Sequence, residues 1–97
     1  MTIINQVANY LSAEKYQKEY KAQYEDRVVR MHDEFMEVFR RYSGLGAFIN
    51  NIEAFAKVDV GHRNLMPKQY KAMEDYLGFL GARIILDAKN FPNLTED

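Results

Sequence analysis

Residues 1–43 contain neither glycine nor proline. A stretch that long without a breaker, rich in Glu, Lys, Arg, Gln, Ala and Met, predicts helix and leaves little room for strands. One stripe runs through it: Tyr16, Tyr20, Tyr24, Val28, Met31, Phe35, Val38 and Tyr42 recur at steps of three and four. That is a single face of a 3.6-residue period. Charges fill the other side, from Lys15, Lys18 and Glu19 through Arg27 and Arg30 to Glu37, Arg40 and Arg41.

The glycines and prolines all come later, and they segment the rest of the chain. A short N-terminal helix is expected within 1–12. Ser12 then serves as N-cap of a long helix over 13–43. Ser43-Gly44-Leu45-Gly46 should end that helix with a left-handed glycine cap. A short helix over 47–56 follows, with Phe48, Ile49, Ile52 and Phe55 on its apolar face. After a break through Gly61 and His62, Asn64 is the expected N-cap of a second long helix over 64–89. Pro67 would fall in its first turn, where the missing N–H costs little. Pro92 stops that helix, and the polar tail at 93–97 should fray. The fold class is all-α: one domain built as a long antiparallel helical hairpin with short N-terminal and connecting helices. Phe35, Val38, Met73, Leu77 and Leu80 sit at the stripe centres and are the expected core.

Two features point to a homo-oligomer, with a tetramer favoured over a hexamer. The last helix has two stripes. Met66, Tyr70, Met73, Leu77, Leu80 and Ile84 form one; Leu65, Gln69, Ala72, Tyr76, Phe79 and Arg83 form the other. Packing on the first long helix needs only one of them. A helix of about 30 residues is also roughly 45 Å long, against a diameter of about 32 Å for a compact chain of this size. The long helix should overhang, leaving Tyr16, Tyr20 and Tyr24 for a second copy to cover.

Composition removes whole classes of function. Thirteen basic against fourteen acidic residues give a net charge of −1. A protein that grips polymeric nucleic acid non-specifically carries a basic excess instead. With no cysteine there is no thiol nucleophile and no cysteine zinc site. No apolar run approaches a membrane span, and the first residues lack the basic and apolar regions of a signal peptide, so the chain is expected in the cytoplasm. His32 and His62 have no metal-like partner at helical spacing and read as surface or loop residues. Gly44-Leu45-Gly46-Ala47 is too short for a nucleotide-binding fingerprint and follows a helix instead of a strand. No catalytic constellation, metal site or cofactor is expected.

What the chain does offer is aromatic rings beside cations: seven tyrosines and six phenylalanines in 97 residues. Rings stack on flat bases, and guanidinium forks pair with phosphate oxygens. Tyr24 with Arg27, and Tyr76 with Arg83, lie one or two turns apart on single helices. Arg63 and Lys68 cluster near the start of the last helix. These six are the candidate ligand-binding residues.

The order of residues also resembles a widespread family of small phage helical-hairpin proteins. The resemblance opens at Tyr24-Glu25-Asp26-Arg27-Val28-Val29 with Glu34, and resumes at Leu45-Gly46-Ala47-Phe48-Ile49, Phe55 and Val58-Asp59. It closes with Leu65, Gln69, Ala72-Met73, Tyr76, Leu80 and Arg83-Ile84. The arm up to Gln23 lies outside it, and Gly78 and Gly81 depart from a helix that looks richer in helix formers in relatives. The resemblance is to anti-CBASS sponge proteins, which sequester cyclic oligonucleotide second messengers without altering them. It implies a phage immune-evasion protein acting in the cytoplasm of the infected bacterial host. Its ligand would be a cyclic dinucleotide such as cyclic GMP-AMP. No ligand-contacting residue carries over from the resemblance. The alternative reading is a small helical protein-binding inhibitor or adaptor that lays its aromatic face against a host protein.

Overall fold

The computed structural model describes residues 2–88, and these are helical without a strand. Helix α1 (Ile3–Ser12) leads into a π-helical turn (Tyr16–Tyr20) and a 3-10 turn (Lys21–Gln23). Helix α2 (Asp26–Asn50), the short α3 (Ile52–Ala56) and α4 (Val60–Leu86) follow. α2 and α4 form the antiparallel hairpin: Gly46 faces Tyr70, Tyr42 faces Glu74 and Phe35 faces Gly81. α1 packs on both. The core joins Ile4, Val7 and Leu11 of α1 to Phe35 of α2 and Leu77, Leu80 and Ile84 of α4. Of the expected core, Phe35, Leu77 and Leu80 are buried, Val38 packs half-buried against them, and Met73 is half-buried.

The first long helix is not continuous over 13–43. Ala13 is extended, and so are Tyr24 and Glu25, with ψ of 149° and 155°. The reason lies in the tyrosines. A straight helix would leave their stripe in water; the break folds them back onto α1 and α2. The Tyr10 and Tyr20 rings stack at 5.9 Å, and the Tyr10 and Tyr24 hydroxyls share a 2.9 Å hydrogen bond. Tyr16 and Tyr24 become buried within their own chain. The overhang expected to need cover from a second copy is therefore covered by α1 instead.

His32 closes this cluster and is not a surface residue. It is 2 % exposed, its Nδ1 is hydrogen-bonded to the Tyr16 hydroxyl at 2.7 Å, and the Tyr24 ring stands edge-on at 4.9 Å. Nε2 has no partner among the described residues. Burial holds the His32 pKa below its ordinary value, against the opposing pull of Asp33 and Asp87. Burial, with Asp33 and Tyr24, pushes the Tyr16 hydroxyl up to about 12.

The glycines do not end α2. Gly44 and Gly46 lie inside it, and α2 stops at Asn51, whose side chain accepts from Ala54 N to cap α3. At Gly46 a Cβ would come within 2.6 Å of the Tyr70 ring, so its absence lets that ring lie on the α2 backbone. Stacking on Tyr42 at 4.5 Å pins the same ring. α4 begins four residues before the expected start. The Asp59 carboxylate accepts from His62 N at 3.1 Å and caps it, and Asn64 lies within the helix. His62 and Arg63 are thus helical, and Pro67 sits in the helix interior. α4 ends at Leu86, before the expected 89; the stop at Pro92 and the tail at 93–97 lie outside the described residues.

Gly44→Ala should stabilise the fold by about 0.5–1 kcal/mol, since nothing stands in the methyl's way and alanine favours helix. Gly46→Ala should instead destabilise it by about 1–3 kcal/mol, because the Tyr70 ring must leave its stack. Urea unfolding of the two variants checks the pair; equal shifts would mean the Gly46–Tyr70 contact is not made. Leu77→Ala should cost about 2–5 kcal/mol by the same measurement. His32 gives a pH dependence. The unfolded chain takes up a proton at this residue as pH falls past about 6.5, while the folded chain resists it. Stability is therefore full above that pH and declines below it. The melting temperature should fall from pH 7.5 to 5.5, and by less in His32→Gln; equal falls would sink the assignment of a buried neutral imidazole.

Candidate functional site

The first turns of α2 face the last turns of α4 because the hairpin is antiparallel. A cleft of about 390 Å³ opens there. Arg27, Arg30, Met31 and Glu34 line it from α2; Tyr76, Leu80 and Arg83 line it from α4. The spacing explains the grouping. Residues 27, 30 and 34 share one face of α2, and residues 76, 80 and 83 share one face of α4. Buried Leu80 and half-buried Met31 supply apolar lining, while Tyr76 keeps 44 % of its surface exposed.

Three guanidinium groups thus surround one cleft. Arg27 Nε donates to Glu25 Oε2 at 3.0 Å, an ion pair in which both side chains are exposed. Such a pair contributes about 0–1 kcal/mol and yields readily to a more highly charged anion. Arg30 and Arg83 make no ion pair or side-chain hydrogen bond among the described residues. Cations left unpaired beside an apolar wall and an open phenol ring suit a compact polyanion that also carries flat, stackable groups.

A second hollow, of about 740 Å³, lies on another side of α4, where Ile3, Phe79 and Ala82 meet Glu74 and Asp75. The Tyr42 hydroxyl donates to Glu74 Oε2 at 2.9 Å. Burial, then hydrogen bonding with Tyr70 and Glu74, raises the Tyr42 pKa well above its ordinary value. Lys71 Nζ reaches both carboxylates, at 3.2 and 3.1 Å. This hollow is larger, but its charge is wrong for an anion.

Of the residues singled out in the sequence, Arg27, Tyr76 and Arg83 come together in the arginine cleft. Tyr24 lies outside that cleft: it is 8 % exposed, with its ring against His32 and its hydroxyl on Tyr10, and what remains open of it lines a separate hollow of about 190 Å³ with Arg27 and Asp87. Arg63 and Lys68 are exposed near the start of α4. They lie about 30 and 22 Å along the axis from Arg83 at 1.5 Å per residue, too far to share its ligand within one chain. Arg30, Met31 and Glu34 were missed. Charge pattern alone places Arg30 on a solvated face, yet its spacing of three from Arg27 and four from Glu34 marks the common face.

The family model described as Sequestin matches residues 25–86, and the chain belongs to that family. The match opens at Glu25, the cap of α2, and closes at Leu86, the last residue of α4. It therefore spans the hairpin and leaves out α1 and the tyrosine turn. No curated protein and no solved structure matches the chain.

Proposed function

We propose that this member of the Sequestin family is a non-catalytic sponge: it binds cyclic oligonucleotide second messengers of CBASS defence and holds them away from their receptors. The observation that carries the reading is the arginine cleft. A cyclic dinucleotide brings two phosphates and two bases. Arg27, Arg30 and Arg83 supply charge-assisted donors, and Tyr76 supplies a stacking face. The family name speaks of sequestration, which needs affinity and no chemistry. In this reading the protein works in the cytoplasm of an infected bacterial host.

Assembly belongs to the same proposal. Leu65, Ala72, Tyr76, Phe79, Arg83 and Leu86 run along α4 at steps of seven, four, three, four and three. Leu65, Phe79 and Leu86 are 62 %, 75 % and 84 % exposed. This is the register of a helix seam that packs on another helix. Tyr76 and Arg83 belong both to the seam and to the cleft, so a second copy docking there would bring its own arginines to the ligand. The exposed seam supports reading the protein as a homo-oligomer with the site at its interface.

The test is titration calorimetry with a panel of cyclic di- and trinucleotides, using the parent, Arg30→Ala and Arg83→Ala. The parent should bind at least one of them. Each variant should weaken binding about ten- to a hundredfold, the effect of losing a charge-assisted hydrogen bond. Binding unchanged in both folded variants would move the site away from the cleft. A parent that binds no cyclic nucleotide would end the sponge reading and leave the exposed seam to a protein partner.

A further inference from the structure

Among the described residues, Glu34 is the one carboxylate that lines the arginine cleft. It lines the cleft with Arg27, Arg30 and Arg83, yet no ion pair or side-chain hydrogen bond engages it among the described residues. Arg30 stands four residues before it, and the two do not meet within 4.0 Å. A carboxylate that neutralised an arginine would be simple surface charge. One left open beside free cations instead offers two acceptor oxygens and no donor.

The bases differ in what they can give to such a group. On its Watson–Crick edge guanine presents two adjacent donors, N1–H and the N2 amino group, which match the two oxygens of one carboxylate. Adenine presents one donor, the N6 amino group, beside the N1 lone pair, so a carboxylate gains one hydrogen bond and meets one repulsion. Cytosine sets its single N4 amino donor beside two acceptors, N3 and O2, and uracil flanks its single donor with two carbonyls. A buried or stacked base read by an acceptor-only group is therefore guanine.

The placement along α2 supports this division of labour. Glu34 lies about 6 Å along the axis from Arg30 and about 10.5 Å from Arg27. By the register that sets Phe35 opposite Gly81, Arg83 stands level with Glu34, and Arg30 and Arg27 carry the cationic lining about one and two turns beyond it. The arginines can take phosphate while the carboxylate takes a base edge, with Tyr76 on α4 to stack. Resting on the sponge reading above, we infer that Glu34 is a specificity residue that selects guanine-containing cyclic dinucleotides over adenine-only ones.

Calorimetry with cyclic di-GMP and cyclic di-AMP on the parent and on Glu34→Gln tests this. The parent should bind cyclic di-GMP at least about tenfold more tightly, in line with one good bidentate base contact. Glu34→Gln should lose most of that preference by weakening cyclic di-GMP. Its affinity for cyclic di-AMP should hold or rise, because a negative charge has left the neighbourhood of the phosphates. Parent affinities within threefold of each other would overturn the inference and leave the sponge reading standing. So would a variant that weakens both ligands alike. A parent that binds no cyclic oligonucleotide would bring down both.

Discussion

The structure hangs on one close approach, where three helices meet at Gly81. A Cβ there would lie 3.2 Å from Ile3, 3.3 Å from Phe35 and 3.5 Å from Val7. With only a hydrogen on Gly81, α1 can settle into the groove between α2 and α4, and Phe35 and Val7 become fully buried. Helix propensity alone would favour alanine at this position. The packing gained by three helices outweighs that loss. Once α1 is seated, its Tyr10 is in place to receive Tyr16, Tyr20 and Tyr24, and the chain must leave helical geometry near Ala13 and again at Tyr24 to deliver them.

The fold was legible where the argument needed only local pattern. The breaker-free first 43 residues gave helices, and the stripes gave Phe35, Leu77 and Leu80 as core. What covers a stripe is not a local property. Periodicity says that Tyr16 and Tyr24 are buried; it does not say by what, and a straight helix left only a second copy to do it. The cover was α1. The burial of His32 is readable in its spacing: Val28, His32 and Phe35 step by four and three, so the imidazole sits on the apolar face. The helix ends went astray for a related reason. Gly44 and Gly46 satisfy the rule for a terminator, but Gly46 serves a ring on the opposite helix, which no single-helix rule can see.

The candidate site was half legible. Tyr76 with Arg83 shares a face of α4, and Arg27 begins a face of α2, so each half could be read from spacing. Their meeting depends on hairpin register: Phe35 opposite Gly81 sets Arg27 and Arg30 near Arg83, and sets Arg63 and Lys68 far away. Pairing rings with cations on one helix, as the sequence invited, selected Tyr24 as partner of Arg27. The structure turns Tyr24 inward and puts Tyr76 of the other helix on the cleft instead.

The Sequestin match and the anatomy draw the same line at Glu25. The cleft lies wholly within the matched hairpin, whereas α1 and the tyrosine turn lie outside the match and supply much of the buried core. The candidate cleft and the packing arm thus lie on different parts of the chain. α1 packs at Gly81, on the side of α4 that also borders the acid-lined hollow, and leaves the arginine cleft open. An arm docked there adds buried apolar surface to a small hairpin without covering the cleft. In the proposed oligomer the ligand would do a complementary job. A dianion held between copies offsets the repulsion of arginines brought together by symmetry, so ligand binding and assembly would stabilise one another. That coupling would rest on Tyr76 and Arg83, which stand in the cleft and on the exposed seam at once.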